Sequence, residues 1–531
     1  MLLRHLGLAV VISSMSAEAT AAQSLTARLS DIQTRAESTR YVETSSYADV
    51  MDFVTRISDA SPILHLTTFG YTSEGRALPL VIVGRLDDVR PEAILESGKT
   101  RLYVQANIHA GEVCGKEAMQ VLLRDLANGD HAAWLDSLVL LIAPIYNADG
   151  NERVRLTNRG RQHGPLGGMG QRANAQGLDL NRDHMKIDSP EARSLIAMMN
   201  AYDPHVLVDL HTTNGTTHAY HLTYAPPLNP NTAPAIDQLL RGDLLPAVTN
   251  AVKRKHGWDF YYYGNLPWRG GGAERGWYTF DHRPRFNNNY IGLRNRIAVL
   301  GEAYSYAVFE DRVKASLWLV EEVAHYVHAN ASQVREVVAQ ADGAVISGRE
   351  LGVRFAHARS DEQVEILMGD VVEERNPYSG RTILRRVDVS RPEMMYEYGT
   401  FRPTETERVP TTYIVPGELT DVLTKLGDHG VRWTELTTPF SGTVERFVID
   451  STTVSAREFQ GHNERTLYGR YEEAESTIPA GAVMVSLDQP LGRLAFYLLE
   501  PRSDDGLVNW NVLDEALEGA EYYPIVRTVG N

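Results

Sequence analysis

Leu102-Tyr103-Val104-Gln105-Ala106-Asn107-Ile108-His109-Ala110-Gly111-Glu112 is the stretch on which the fold turns. Its first five residues read as a β-strand. Residues 112–126 then read as a helix, because Met119, Leu122, Leu123 and Leu126 recur at helical spacing. Upstream, Leu80-Val81-Ile82-Val83 is a second strand. Downstream, residues 138–145 are almost continuously apolar, as a strand buried on both faces requires. Residues 190–201 read as a helix, with Ser189 as N-cap and Pro190 at its first position. Residues 205–210 and 297–300 are further buried strands, and residues 311–329 a closing helix. This alternation, from about residue 40 to 335, implies an α/β fold. Its sheet is open and mainly parallel, or mixed, with helices on both faces.

His109 and Glu112 stand three apart at the junction of a strand and a helix, where both side chains can point at one metal ion. With 17 histidines in the chain the H-x-x-E pattern is weak by itself. Its place adds weight, because open α/β sheets bind ligands at the carboxyl ends of their strands. His211 follows the apolar strand Val206-Leu207-Val208-Asp209-Leu210, at another such end. Two nitrogens, one carboxylate and an open fourth position describe a catalytic zinc site and not a structural one. Asp209, two residues before His211, points to the same face. It serves either a structural role or as a contact to that ligand. His184, His218 and His221 flank these residues and read as supporting or packing groups.

Between the two metal segments lie Asn147-Ala148-Asp149-Gly150 and Leu178-Asp179-Leu180-Asn181-Arg182-Asp183. The order H-x-x-E, N-x-D-G, L-N-R, then a histidine after an apolar strand, resembles the zinc carboxypeptidases over residues 45–335. The resemblance implies one zinc ion per chain on His109, Glu112 and His211, and a peptide substrate with a free C-terminal carboxylate held by Asn181 and Arg182. The fork of an arginine suits a carboxylate. It also implies a general base at the end of a late buried strand, supplied by Glu302, and an arginine that steadies the oxyanion. Arg172 is preferred for the latter, with Arg159 and Arg161 as fallbacks. A substrate-contacting tyrosine should precede the base, and Tyr290 is taken ahead of Tyr278. Among family relatives, deacylases use similar ligands. Hydrolysis of N-acylated amino acids or cell-wall peptides is therefore the alternative reading. A binding module without catalysis should lack a ligand or the base, and neither is missing.

The rest of the chain sets the context. With 531 residues there is room for two or three domains. Arg4 and His5, a short apolar run and the small-x-small site Ala19-Thr20-Ala21 read as a signal peptide over residues 1–22, which implies export to the periplasm or beyond. Residues 23–340 form the expected catalytic domain. From about residue 345 Thr, Val, Pro and Gly become prominent, so residues 341–531 read as a β-rich α+β region, with strands at 411–415, 444–449, 483–485 and 494–499. One helix is expected at 418–426, ending at Gly427. This region resembles the long tail of certain bacterial members of the family. No stretch is long and apolar enough to span a bilayer. The formal charge of −16 argues against nonspecific nucleic-acid binding. Cys114 is the single cysteine, so no intrachain disulfide can form, and it reads as a small apolar filler beside the site. Arg269-Gly270-Gly271-Gly272 lacks the Lys-Ser/Thr ending of a phosphate loop and reads as a mobile loop near the site.

Overall fold

A computed structural model describes Leu29 and residues 31–213, 215–268 and 271–528. The expected signal peptide, and Arg269 and Gly270 of the glycine-rich loop, lie outside the described residues. Eight strands form the main sheet: β1 (Leu64–Tyr71), β2 (Ala77–Val83), β3 (Thr100–Ala106), β4 (Leu138–Ala143), β5 (Val206–Thr213), β6 (Leu222–Ala225), β7 (Phe260–Tyr262) and β9 (Ile297–Tyr304). Their order is β1-β2-β4-β3-β5-β9-β6-β7. β4, β3, β5 and β9 run parallel to one another in the middle, while β1, β2 and β6 make the antiparallel pairings of a mixed sheet.

The central strands read as unbroken apolar runs because both of their faces are covered. On one face Leu102, Val104, Val206, Val208 and Val299 pack under helices α1 (Tyr47–Ala60), α2 (Cys114–Ala127) and a later helix, α5 (Phe309–Ala329). On the other, Tyr103, Leu141, Leu207 and Ala298 pack under α3 (Pro190–Tyr202) and α4 (Asn287–Leu293). That second face is completed by the C-terminal region, whose Val483, Val485 and residues 494–499 join the same cluster. The break in composition near residue 345 thus marks a change of texture inside a continuous core. Strand pairing crosses it too, since Tyr396 of β10 (Thr382–Tyr398) pairs with Gly276 of β8 (Gly276–Tyr278).

Local signals hold well in the first half. Ser189 caps α3 by accepting from the Ala192 N–H at 3.1 Å, and Cys114 is buried in the core at the start of α2. Two expectations in the C-terminal region are corrected. Residues 494–499 form a helix, α6 (Gly492–Leu499), and not a strand. Every residue of α6 is buried, so its sequence carries no periodicity to betray it. Leu and Ala also favour the helix, and the run holds no β-branched residue. The other helix is displaced. It spans Thr420–His429, with Gly427 inside it, and it is Gly430, at φ 82, that closes it in the left-handed conformation. Among the described residues no helix is long and apolar enough to cross a membrane.

Candidate metal centre and substrate cavity

Three neighbouring parallel strands deliver the site. β3 ends just before His109, α2 begins just after Glu112, and in the β5–β9 register His211 sits directly opposite Glu302. The strands run further than their apolar cores suggest, so His211 and Glu302 lie within β5 and β9 and not beyond them. Directly opposed residues project to the same face, which brings the fourth group over the three candidate ligands.

The three ligands converge. His109 Nδ1 lies 3.1 Å from Glu112 Oε1, His211 Nδ1 lies 3.0 Å from Glu112 Oε2, and the two Nδ1 atoms are 3.2 Å apart. Together they form a group that could hold a metal ion. Behind them, His109 Nε2 meets Asp179 Oδ1 at 3.0 Å and His211 Nε2 meets Asp209 Oδ2 at 2.9 Å. These carboxylates draw the ring protons to the Nε2 atoms and leave both Nδ1 lone pairs facing one point. Lone pairs and carboxylate oxygens converging there call for a cation. The separations are close to the edge of about 3.3 Å that tetrahedral zinc with bonds of about 2.0–2.1 Å would impose. The residues therefore fit zinc.

The electrostatics agree. Burial disfavours the charged form of Glu112, but Arg159 and His109 outweigh it and hold the carboxyl well below the usual range. Burial likewise opposes the His211 imidazolium, yet Asp209 raises it well above its ordinary value. Both shifts come from opposite charges packed side by side out of water. Burial pushes the Glu302 carboxyl up to about 8, and the adjacent Glu112 adds to this against the pull of His211. Glu302 Oε2 is buried without a hydrogen-bond partner among the described residues.

These groups line one cavity of about 130 Å³ together with Arg159, Arg172, Asn181, Arg182, Tyr263, Phe280, Phe286 and Leu300. The structure thus brings together His109, Glu112, His211, Glu302, Asn181, Arg182 and Arg172. Arg172 Nε donates to Asp179 at 2.8 Å while its side chain stays 43% exposed. Arg159 donates to Glu112 from the same wall, whereas Arg161 is exposed and outside the lining.

The tyrosine expectation is corrected. Tyr290 lies on α4 with its ring fully buried, its hydroxyl 2.8 Å from His429 Nδ1 and 3.2 Å from Arg294. Helical periodicity turns it into the core and away from the cavity. Tyr278 stacks on Tyr398 at 4.0 Å and does not line the cavity either. Tyr263, just past β7, is the tyrosine that does, with Asn265 donating to its hydroxyl at 2.8 Å. Burial and the nearby Glu302 raise its phenol. Its sequence offers no signal, since Tyr261-Tyr262-Tyr263 stand together and only the third faces the site. His184, His218 and His221 stay outside the ligand group. His184 contacts the Arg285 carbonyl, His218 packs at a tilt against Tyr304, and His221 stacks on Trp258.

With this geometry in place, the comparison with known proteins is direct. Residues 50–239 match the model of the zinc carboxypeptidase family, Peptidase_M14. Carboxypeptidase 2 of Trichophyton tonsurans is 24% identical over 459 residues, covering 81% of this chain and 77% of that protein. Carboxypeptidase 2 of Trichophyton rubrum is 23% identical over 504 residues, covering 90% and 85%. A match of the latter extent takes in most of the C-terminal region as well. Among solved structures, a metallo-carboxypeptidase from Pseudomonas aeruginosa is 18% identical at a TM-score of 0.40, covering 55% of this chain and 70% of that one. Carboxypeptidase A from Helicoverpa armigera is 15% identical at 0.41, covering 60% and 82%. The match over residues 50–239 is to the zinc carboxypeptidase family, and with these relatives it makes the chain a hydrolase acting on peptide bonds.

Proposed function

We propose that the protein is a zinc-dependent metallocarboxypeptidase that removes the last residue of peptides with a free C-terminal carboxylate. The observation that carries this reading is Arg182. Its guanidinium lies in the cavity of the metal ligands and Glu302, over the Phe286 ring with its Cζ 3.7 Å from the centroid, and its nearest carboxylate, Asp179, is 4.0 Å away. Burial lowers its pKa to about 10, with Arg172 adding to the effect against Asp179. The guanidinium is mostly buried, and its Nη1 donates to the neutral Asn181 carbonyl at 2.7 Å, so its charge has no close anion and is poised for an incoming carboxylate.

His109, Glu112 and His211 would hold the zinc, which when bound supplies Lewis-acid polarisation of a carbonyl and acidifies water. The protein's own groups do the rest. Asn181 and Arg182 fix the chain end, so that the last peptide bond meets the ligand group. Glu302 takes a proton from the attacking water as its oxygen bonds to the carbonyl carbon. The same carboxyl returns that proton to the nitrogen as the C–N bond breaks. Arg172 is aimed at the oxyanion by Asp179.

Treatment with a strong chelator should abolish peptide hydrolysis, and zinc should restore it. Elemental analysis should find one zinc per chain in active protein; full activity at clearly substoichiometric metal would sink the metal reading. We also propose export, on the basic start, short apolar run and small-x-small site of residues 1–22. Amino-terminal sequencing of protein from its native host should begin near Ala22 and come from outside the cytoplasm. An intact Met1 in the cytoplasmic fraction would contradict it.

A further inference from the structure

Of the carboxylates behind the two histidines, Asp179 is held directly from the C-terminal region, and Asp209 is held by Asn287, two residues from an arginine that the C-terminal region grips. The main-chain N–H of Asp179 donates to Gln460 Oε1 at 2.7 Å. Gln460 occupies a left-handed position, φ 54, in a turn closed by reciprocal backbone hydrogen bonds between Phe459 and His462. That conformation is disfavoured for a residue with a side chain and persists where the surroundings impose it. The surroundings are visible: His462 Nε2 lies 2.7 Å from Asp188 Oδ2, and the Phe459 ring stacks on Trp510.

Asp179 is a hub. Its Oδ1 meets His109 Nε2 and the Asn181 N–H, each at 3.0 Å, and its Oδ2 accepts from Arg172. One backbone therefore sets a metal ligand, the oxyanion arginine and the residue beside Arg182. The second carboxylate has a parallel support. Asp209 accepts from Asn287 Nδ2 at 3.0 Å, and the Asn287 N–H donates to Asn181 Oδ1 at 2.8 Å. Two residues earlier Arg285 is buried and gripped by Asp505 through its backbone N–H at 2.6 Å and its Nε at 2.8 Å, with Glu464 and Asn509 accepting from its Nη2. The C-terminal region covers the sheet face from which Asp209 and His211 project.

We propose that the C-terminal region is a working part of the active site, with Gln460 as a positioning residue that holds Asp179 and, through it, His109, Arg172 and Asn181. The proposal rests on the zinc reading of His109, Glu112 and His211. Plain packing between two lobes would need no side-chain acceptor on the Asp179 amide and no left-handed glutamine to present one.

The test uses the full chain with zinc or cobalt as the probe ion. Gln460→Gly deletes the acceptor yet suits the left-handed backbone better than glutamine does, so loss of fold does not explain its effect. Outer partners of metal ligands are worth about 10- to 100-fold in metal affinity. We expect zinc affinity, measured by chelator competition, to fall about tenfold, and the visible spectrum of the cobalt form to shift. Gln460→Glu keeps an accepting oxygen and should recover most of that affinity and the wild-type spectrum. Wild-type affinity and spectrum in Gln460→Gly would overturn the proposal, even if its thermal midpoint fell, and so would failure of Gln460→Glu to recover them. Wild-type protein that takes up no zinc would sink the metal assignment itself, and this proposal with it.

Discussion

Glu302→Gln should leave zinc bound and the fold intact while lowering turnover by about two orders of magnitude or more, the usual worth of a general base. The substitution preserves shape. Residue 302 remains paired in register with His211 on one side and Thr223 on the other, so the strand has no reason to move. Only the capacity to take a proton is lost. Glu302 lines the cavity with its Oε2 buried and unpartnered among the described residues, while the other carboxylate of that lining, Glu112, is engaged with His109 and His211. The pH profile gives a second readout. A carboxyl must be ionised to accept a proton, so the acid side of kcat/KM should rise with pH in the wild type, and that limb should vanish in the variant. The measurement is kcat and kcat/KM across pH, with zinc content checked on the same samples. Near wild-type turnover at full zinc would mean the base is misassigned.

What could be read from the sequence divides along physical lines. His109, Glu112, His211 and Glu302 were legible because each sits at or near the carboxyl end of a strand whose apolar run is unmistakable. Once those strands are neighbours, the convergence follows from register. Asp179 and Asp209 were close at hand, but their roles depend on which ring nitrogen they reach, and that is a matter of tertiary placement. Tyr290 was misplaced because distance along the chain to the base says nothing about which side of a helix faces the cavity. The interior claims it through His429, some 139 residues further on. Tyr263 and Phe286 were missed for the complementary reason, since both stand outside strand and helix, where no periodicity reports direction. The strand expected at residues 494–499 failed because an all-apolar run surrounded by core looks the same in either conformation. Gln460 carries no local signal at all. Its contact with Asp179 spans 281 positions and comes from a turn that composition describes only as polar.

The second large effect separates a carboxypeptidase from the other hydrolases of the same site. If Asn181 and Arg182 grip a terminal carboxylate, the substrate must bring that charge free. Amidating the peptide removes one full charge and a bidentate partner, and leaves the Arg182 guanidinium, over the Phe286 ring and 4.0 Å from its nearest carboxylate, without the anion it is placed to receive. Losing one partner of a buried, hydrogen-bonded charge pair costs roughly 2–5 kcal/mol, or about 30- to several-thousand-fold in kcat/KM. Arg182→Ala should show a similar loss on the free peptide, because the anchor is gone and not merely weakened. On the amidated peptide it should lose little, because the interaction it deletes is absent there. A deacylase or amidase reading makes the opposite forecast, since a substrate recognised from its acyl side has no use for a charged chain end. The decisive experiment is therefore a two-by-two comparison of wild type and Arg182→Ala on one peptide in free and amidated forms. A large gap in the wild type that nearly closes in the variant assigns the anchor to Arg182. Equal cleavage of both peptides by the wild type would refute exopeptidase action and turn the assignment towards an endopeptidase or amidase.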